Sequence, residues 1–100
     1  MKFANKQKVE TLVGKGAALI DLRTPVDFRD GTIGSAINLP YRNFINSLLK
    51  FDKTKTMVII VDSVDSPDLK SVDTFLNNLS FEKVWAAEYR QLKEPVDKRN

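Results

Sequence analysis

The sequence predicts an α/β domain built on a mainly parallel central sheet. Two observations carry that expectation. Short continuous apolar runs, Ala17-Ala18-Leu19-Ile20 and Met57-Val58-Ile59-Ile60-Val61, read as strands buried on both faces, as parallel sheets require. These runs alternate with stretches whose apolar residues recur at helical spacing, and such alternation lays helices against a parallel sheet. At 100 residues the chain is long enough for one domain and too short for two.

In order along the chain, Asn5 is placed to cap a first helix whose stripe is Val9, Leu12 and Val13, and Gly14-Lys15-Gly16 ends it. The Ala17–Ile20 strand follows and stops at Asp21. Thr24 to Gly34 reads as a polar turn. Ala36 to Leu39 is a short second strand closed by Pro40. Tyr41, Phe44, Ile45, Leu48 and Leu49 then fall on one helical face. After the connector Lys53-Thr54-Lys55-Thr56, Met57–Val61 is the strongest strand signal. Ser66-Pro67-Asp68 opens the next helix: serine caps, proline is tolerated at the first position, and an acid favours the first turn. Its stripe is Leu69, Val72, Phe75, Leu76 and Leu79. Lys83-Val84-Trp85 is a short last strand, Glu88 to Lys93 a short helix, and Pro95 to Asn100 a frayed tail. The domain is therefore placed at residues 1–94 and the tail at 95–100.

Composition removes several functions. The chain has no cysteine and no histidine. Disulfides, thiolate nucleophiles, thiolate metal sites, the Ser-His-Asp triad and the usual neutral-pH base are all excluded. Net charge is +3, and no basic stripe of the kind nucleic-acid binders carry is present. No apolar run approaches the ~20 residues needed to span a bilayer. No apolar stretch follows Lys2 near the N-terminus, so a secretory signal is not expected, and the expectation is a cytoplasmic protein with no membrane and no nucleic-acid partner. Residues 62 to 73 hold four aspartates against Lys70, a local charge of −3 in a chain that is otherwise basic.

The stretch from Leu19 to Pro40 closely resembles the rhodanese family. That family carries an Asp-x-Arg at the end of its first long strand, then an acidic-aromatic pair, a Gly-His-Ile, a Gly-Ala and an Asn-x-Pro. Asp21, Arg23, Asp27, Phe28, Gly31, Ile33, Ala36, Asn38 and Pro40 match, while Thr32 stands for the usual histidine and Ser35 for the usual glycine. The resemblance extends over residues 3 to 93 in element order. It implies a rhodanese-like α/β fold, with helices on both faces of the sheet, and it makes Asp21, Arg23, Asp27 and Gly31 scaffold residues.

The resemblance also places the family's active loop after the Met57–Val61 strand, where it normally reads Cys-x-x-Gly-x-Arg. Here the cysteine position falls on Ser63, the glycine position on Ser66 and the arginine position on Asp68. The loop Asp62, Ser63, Val64, Asp65, Ser66, Pro67 and Asp68 contains no cysteine, glycine, arginine or histidine. Persulfide chemistry needs a thiolate, an anion cradle of N–H groups, and positive charge. A serine hydroxyl without a base is a poor nucleophile, and three aspartates repel an anionic substrate. The family's Gly-Gly pair after the last strand is replaced by Tyr89 and Arg90.

The expected function is therefore a catalytically inactive rhodanese-like domain that binds or regulates another protein, with Tyr89 and Arg90 as candidate binding residues. The alternative is a rhodanese-type sulfurtransferase whose nucleophile position is occupied by Ser63, an enzyme by descent only. No catalytic residue, cofactor or metal is expected. The aspartates of the loop suit a divalent cation in principle, but two of them also fit as helix N-terminal charges.

Overall fold

The computed structural model describes residues 1–93. The tail read at 95–100, and the domain boundary at 94, lie outside the described residues. The elements are β1 (Lys2–Phe3), α1 (Lys6–Gly14), β2 (Ala18–Asp21), α2 (Pro25–Asp30), β3 (Ile37–Asn38) and α3 (Tyr41–Ser47). A 3-10 turn over Leu48–Lys50 continues α3. Then come β4 (Met57–Val61), α4 (Pro67–Asn78), β5 (Val84–Glu88) and α5 (Tyr89–Lys93). The five strands form one sheet in the order β1-β5-β4-β2-β3, and every pairing is parallel.

Strand β4 sits at the centre because its sequence is apolar on both sides. Met57, Ile59 and Val61 point into a cluster closed by Phe44, Leu48, Leu69, Val72 and Leu76 of the α3 and α4 side. Val58 and Ile60 point into the opposite cluster with Val9 of α1 and Leu92 of α5. Val58, Ile59 and Ile60 are fully buried. Burying each such side chain is worth about 1.5–3 kcal/mol, so the strand anchors both layers.

Helices α1 and α4 end by the same device. The N–H of Ala17 donates to Leu12 O at 3.0 Å and that of Gly16 to Val13 O at 2.9 Å. In α4 the pairs are Phe81 to Leu76 at 2.9 Å and Ser80 to Asn77 at 3.1 Å. Both are Schellman closures around a left-handed residue. Gly16 fills that position in α1, and Ser80 fills it in α4 with φ 65°.

The structure corrects the element reading in several places. The polar turn from Thr24 to Gly34 contains α2. Thr24 caps it by accepting the Asp27 N–H at 3.2 Å, with Pro25 at the start and Asp27 in the first turn. That is the same grammar as Ser66-Pro67-Asp68, over a helix too short to show a stripe. Strand β5 runs on to Glu88 through Ala86 and Ala87, small residues that give no strand signal but fit a tightly packed centre. Strand β3 is two residues long rather than four. Leu49 is 88% exposed, because α3 tightens into the 3-10 turn and rotates it off the apolar face. Strand β1 is too short for any periodicity to reveal. Phe75 also lies at the margin of its stripe, 43% exposed, while Leu69, Val72 and Leu76 are buried.

The register gathers the carboxyl ends of four strands on one edge. Asp21 pairs with Asn38 and Ile60, and Val61 pairs with Glu88. Parallel sheets present their sites along this edge.

Candidate functional site

The first feature of the edge is a buried ionic buckle at the end of β2. The Asp21 carboxylate is fully buried and accepts four hydrogen bonds. They come from the Arg23 N–H at 3.0 Å, Arg23 Nε at 3.1 Å, Arg23 Nη2 at 2.9 Å and the Thr32 hydroxyl at 2.7 Å. Arg23 Nη2 also donates to the Gly31 carbonyl at 2.6 Å. Asn38 Nδ2 ties the outer backbone by donating to Asp21 O at 3.0 Å and Arg23 O at 2.9 Å. Burial acts to lower the Arg23 pKa, but the hydrogen bond and charge of Asp21, aided by Asp62 and Tyr89, leave it raised. The guanidinium is thus a charged structural fork, held by Asp21 and the Gly31 carbonyl. Asp27 stands half-buried in the first turn of α2, beside this buckle in sequence only.

The second feature is the loop from Asp62 to Asp68, between β4 and α4. Its middle N–H groups, from Val64 to Ser66, are used within the chain. The Val64 N–H donates to Glu88 Oε2 at 3.0 Å, the Asp65 N–H to Ser63 Oγ at 3.1 Å, and the Ser66 N–H to Ser63 O at 3.2 Å. Pro67 has no N–H, and Leu69 donates to the capping Ser66 Oγ at 3.4 Å. From Val64 to Pro67 no backbone donor is left over for a bound anion. Glu88, at the end of β5, supplies a carboxylate where an anion cradle would receive a ligand. The Ser63 hydroxyl accepts a local turn bond, an ordinary role for loop serine. Asp62, Asp65 and Asp68 are exposed, and among the described residues no three carboxylates converge as a metal-binding group.

Between the buckle and the loop lies a cleft of about 140 Å³, bounded by Leu22, Arg23, Val61, Asp62, Ser66 and Asp68. Neither Ser63 nor Tyr89 lines it. Tyr89 instead lies on Arg23, whose Cζ is 3.7 Å from the ring centroid. Its hydroxyl sits so close to Gly31 that a β-carbon there would meet it at 2.6 Å. Tyr89 therefore covers the buckle and leaves the cleft open. Arg90 beside it is exposed.

Of the residues singled out in the sequence, the structure brings together Asp21, Arg23, Gly31 and Tyr89, and separately sets the 62–68 loop beside them. Two participants escaped sequence reading. Thr32 takes a direct bond to Asp21 from the family's histidine position. Glu88 holds Val64, and the signal that could have found it is an acidic residue ending a strand at the carboxyl edge.

Comparison with known proteins agrees with this geometry. A model of the rhodanese-like domain matches residues 5–88. The fold is similar to that of a rhodanese-related protein from Thermoplasma volcanium, with 18% identity, a TM-score of 0.70, and 89% of this chain and 85% of that one covered. It is also similar to a protein from Staphylococcus saprophyticus subsp. saprophyticus, with 19% identity, a TM-score of 0.64, and 88% and 85% covered. None of the curated proteins matches the sequence. At these identities the solved structures speak for the fold alone. The family match over residues 5–88, carried by a parallel sheet with helices on both faces and by the Asp21–Arg23 buckle, shows that this chain belongs to the rhodanese-like domain family.

Proposed function

We propose that this domain is a catalytically inactive rhodanese-like module that binds another protein through the face around the 62–68 loop. The observation that carries the reading is the filling of the loop from within. Glu88 and Ser63 take the N–H groups of Val64, Asp65 and Ser66, and no cysteine exists to hold sulfur. A loop that has no thiol and no basic residue, and whose N–H groups from Val64 to Ser66 are taken, has little use for a sulfane anion. What it offers is charge and shape: Asp62, Asp65 and Asp68 exposed, an open cleft beside them, Tyr89 stacked on Arg23 and Arg90 exposed next to it in sequence. Charged loops steer encounter and select partners more than they add affinity, so a basic patch is the complement of this one. The sulfurtransferase alternative is weakened by Ser63, whose hydroxyl holds the Asp65 N–H and has no histidine in the chain to activate it.

The test is capture of partners on the immobilised domain, compared with the triple variant Asp62→Asn, Asp65→Asn, Asp68→Asn. Partners should elute as salt rises, because exposed charges are screened, and should be depleted from the variant. Equal capture by a folded triple variant would move the interface elsewhere on the domain.

A further inference from the structure

The cleft at the loop is one end of a longer trough. A second cavity, of about 450 Å³, adjoins it and shares Leu22, Thr24 and Asp68 as lining. Its other walls come from the start of α2 and the start of α3. Pro25, Pro40 and Tyr41 make an apolar surface, and Arg42 and Asn43 form the far lip. The two ends differ in chemistry. At the narrow end Asp62 and Asp68 are exposed and, among the described residues, neither has an ion-pair partner. Among the described residues lining it, the cation Arg23 is already paired with Asp21 at 2.9 Å. The narrow end is therefore net negative, where this fold's chemistry needs it positive.

Taken alone, the narrow end, at about 140 Å³, falls below the ~300–1,000 Å³ of small-molecule and cofactor sites. That is room for a few waters, the scale of one side chain. The wide end offers proline and tyrosine faces, the kind of surface on which extended proline-containing or aromatic segments seat.

Resting on the protein-binding reading above, we propose that the trough receives an extended segment of a partner protein. A lysine or arginine of that segment enters the narrow end beside Asp62 and Asp68. A proline or aromatic residue within two positions of it lies on Pro25, Pro40 and Tyr41. Neighbouring side chains on one face of an extended strand lie about 7 Å apart, so residues two positions apart can point into adjoining cavities.

The test is selection of random decapeptides displayed on phage against the folded wild-type domain. Selected peptides should share a basic residue with a proline or aromatic within two positions. Their binding should fall at least about tenfold in Asp62→Asn/Asp68→Asn, where charge is lost, and in Asn43→Trp, which fills the wide end from an exposed position. Circular dichroism confirms that both variants fold. Peptides sensitive to the aspartates but indifferent to Asn43→Trp would overturn the trough while leaving the protein-binding face in place. A selection without enrichment, with captured partners still lost from the triple asparagine variant, would likewise remove the trough and keep the face. Peptides indifferent to every variant would overturn both. A concentration-dependent dimer abolished by Asn43→Trp would identify the occupant as a second copy of this chain and overturn the proposal as well.

Discussion

The Asp21–Arg23 pair makes a quantitative demand on stability. In Asp21→Asn the guanidinium of Arg23, whose side chain is 5% exposed, keeps its hydrogen bond to Gly31 but loses its counter-charge. Breaking a buried pair by removing one partner costs about 3–5 kcal/mol, because an uncompensated charge stays behind. Domains of this size have only about 5–15 kcal/mol in total. With urea slopes of about 1–3 kcal/mol/M, the unfolding midpoint should fall by at least about 1 M. Arg23→Met strands Asp21 in the same way and should cost a similar amount. The double variant removes both charges, and Thr32 can still bond the neutral side chain at position 21. It should therefore be less destabilised than the sum of the singles by about 2 kcal/mol, within the range seen for residues in direct contact. Urea melts of the four proteins, followed by far-ultraviolet circular dichroism, give the cycle. A single Asp21→Asn cost under about 1 kcal/mol, or additive singles, would refute the claim that this pair holds the β2–α2 loop.

Four further outcomes are expected from the same contacts. Thiosulfate:cyanide sulfurtransfer by the purified domain should stay at the uncatalysed rate, checked by thiocyanate formation, since no thiol is present. Ser63→Cys alone should not restore turnover. Asp62, Asp65 and Asp68 raise the pKa of a thiol placed among them, and a titration of thiolate absorbance should show it above the free-cysteine range. Glu88→Ala should speed hydrogen exchange at the Val64 amide and destabilise by about 1–3 kcal/mol, the cost of leaving a partly buried donor unpaired. Gly31→Ala should destabilise because its β-carbon meets the Tyr89 hydroxyl at 2.6 Å, and Tyr89→Phe should recover part of that loss in thermal melts.

Much of the fold was legible because its strongest signals are redundant. Met57–Val61 is apolar at every position, so no register error could disguise it, and Ser66-Pro67-Asp68 states the following helix three times over. The failures have physical causes. Helix α2 spans six residues and buries no side chain, so it carries capping chemistry without amphipathicity. The end of β5 is built from alanines suited to close packing, which look indifferent in sequence. Ser80 closes α4 in a left-handed conformation without the glycine that announces the same closure at Gly16. At the site, the missing cysteine and the aspartates were plain in the sequence. The taking up of the Val64 N–H by Glu88 was not, because residues 64 and 88 meet only through the β4–β5 register. Nor could the sequence say where Tyr89 would lie. Its stacking on Arg23 depends on how α5 leaves the sheet edge.

The central claim is that the edge which serves sulfur transfer in this family serves protein contact here. The most direct measurement is the amide footprint of a captured partner on the isotopically labelled domain. Shifts should concentrate in residues 62–68 and in the facing segments 22–25 and 40–43, and should fade as salt is raised. Shifts confined to α1 and the β1 edge, with the 62–68 loop unmoved, would contradict it.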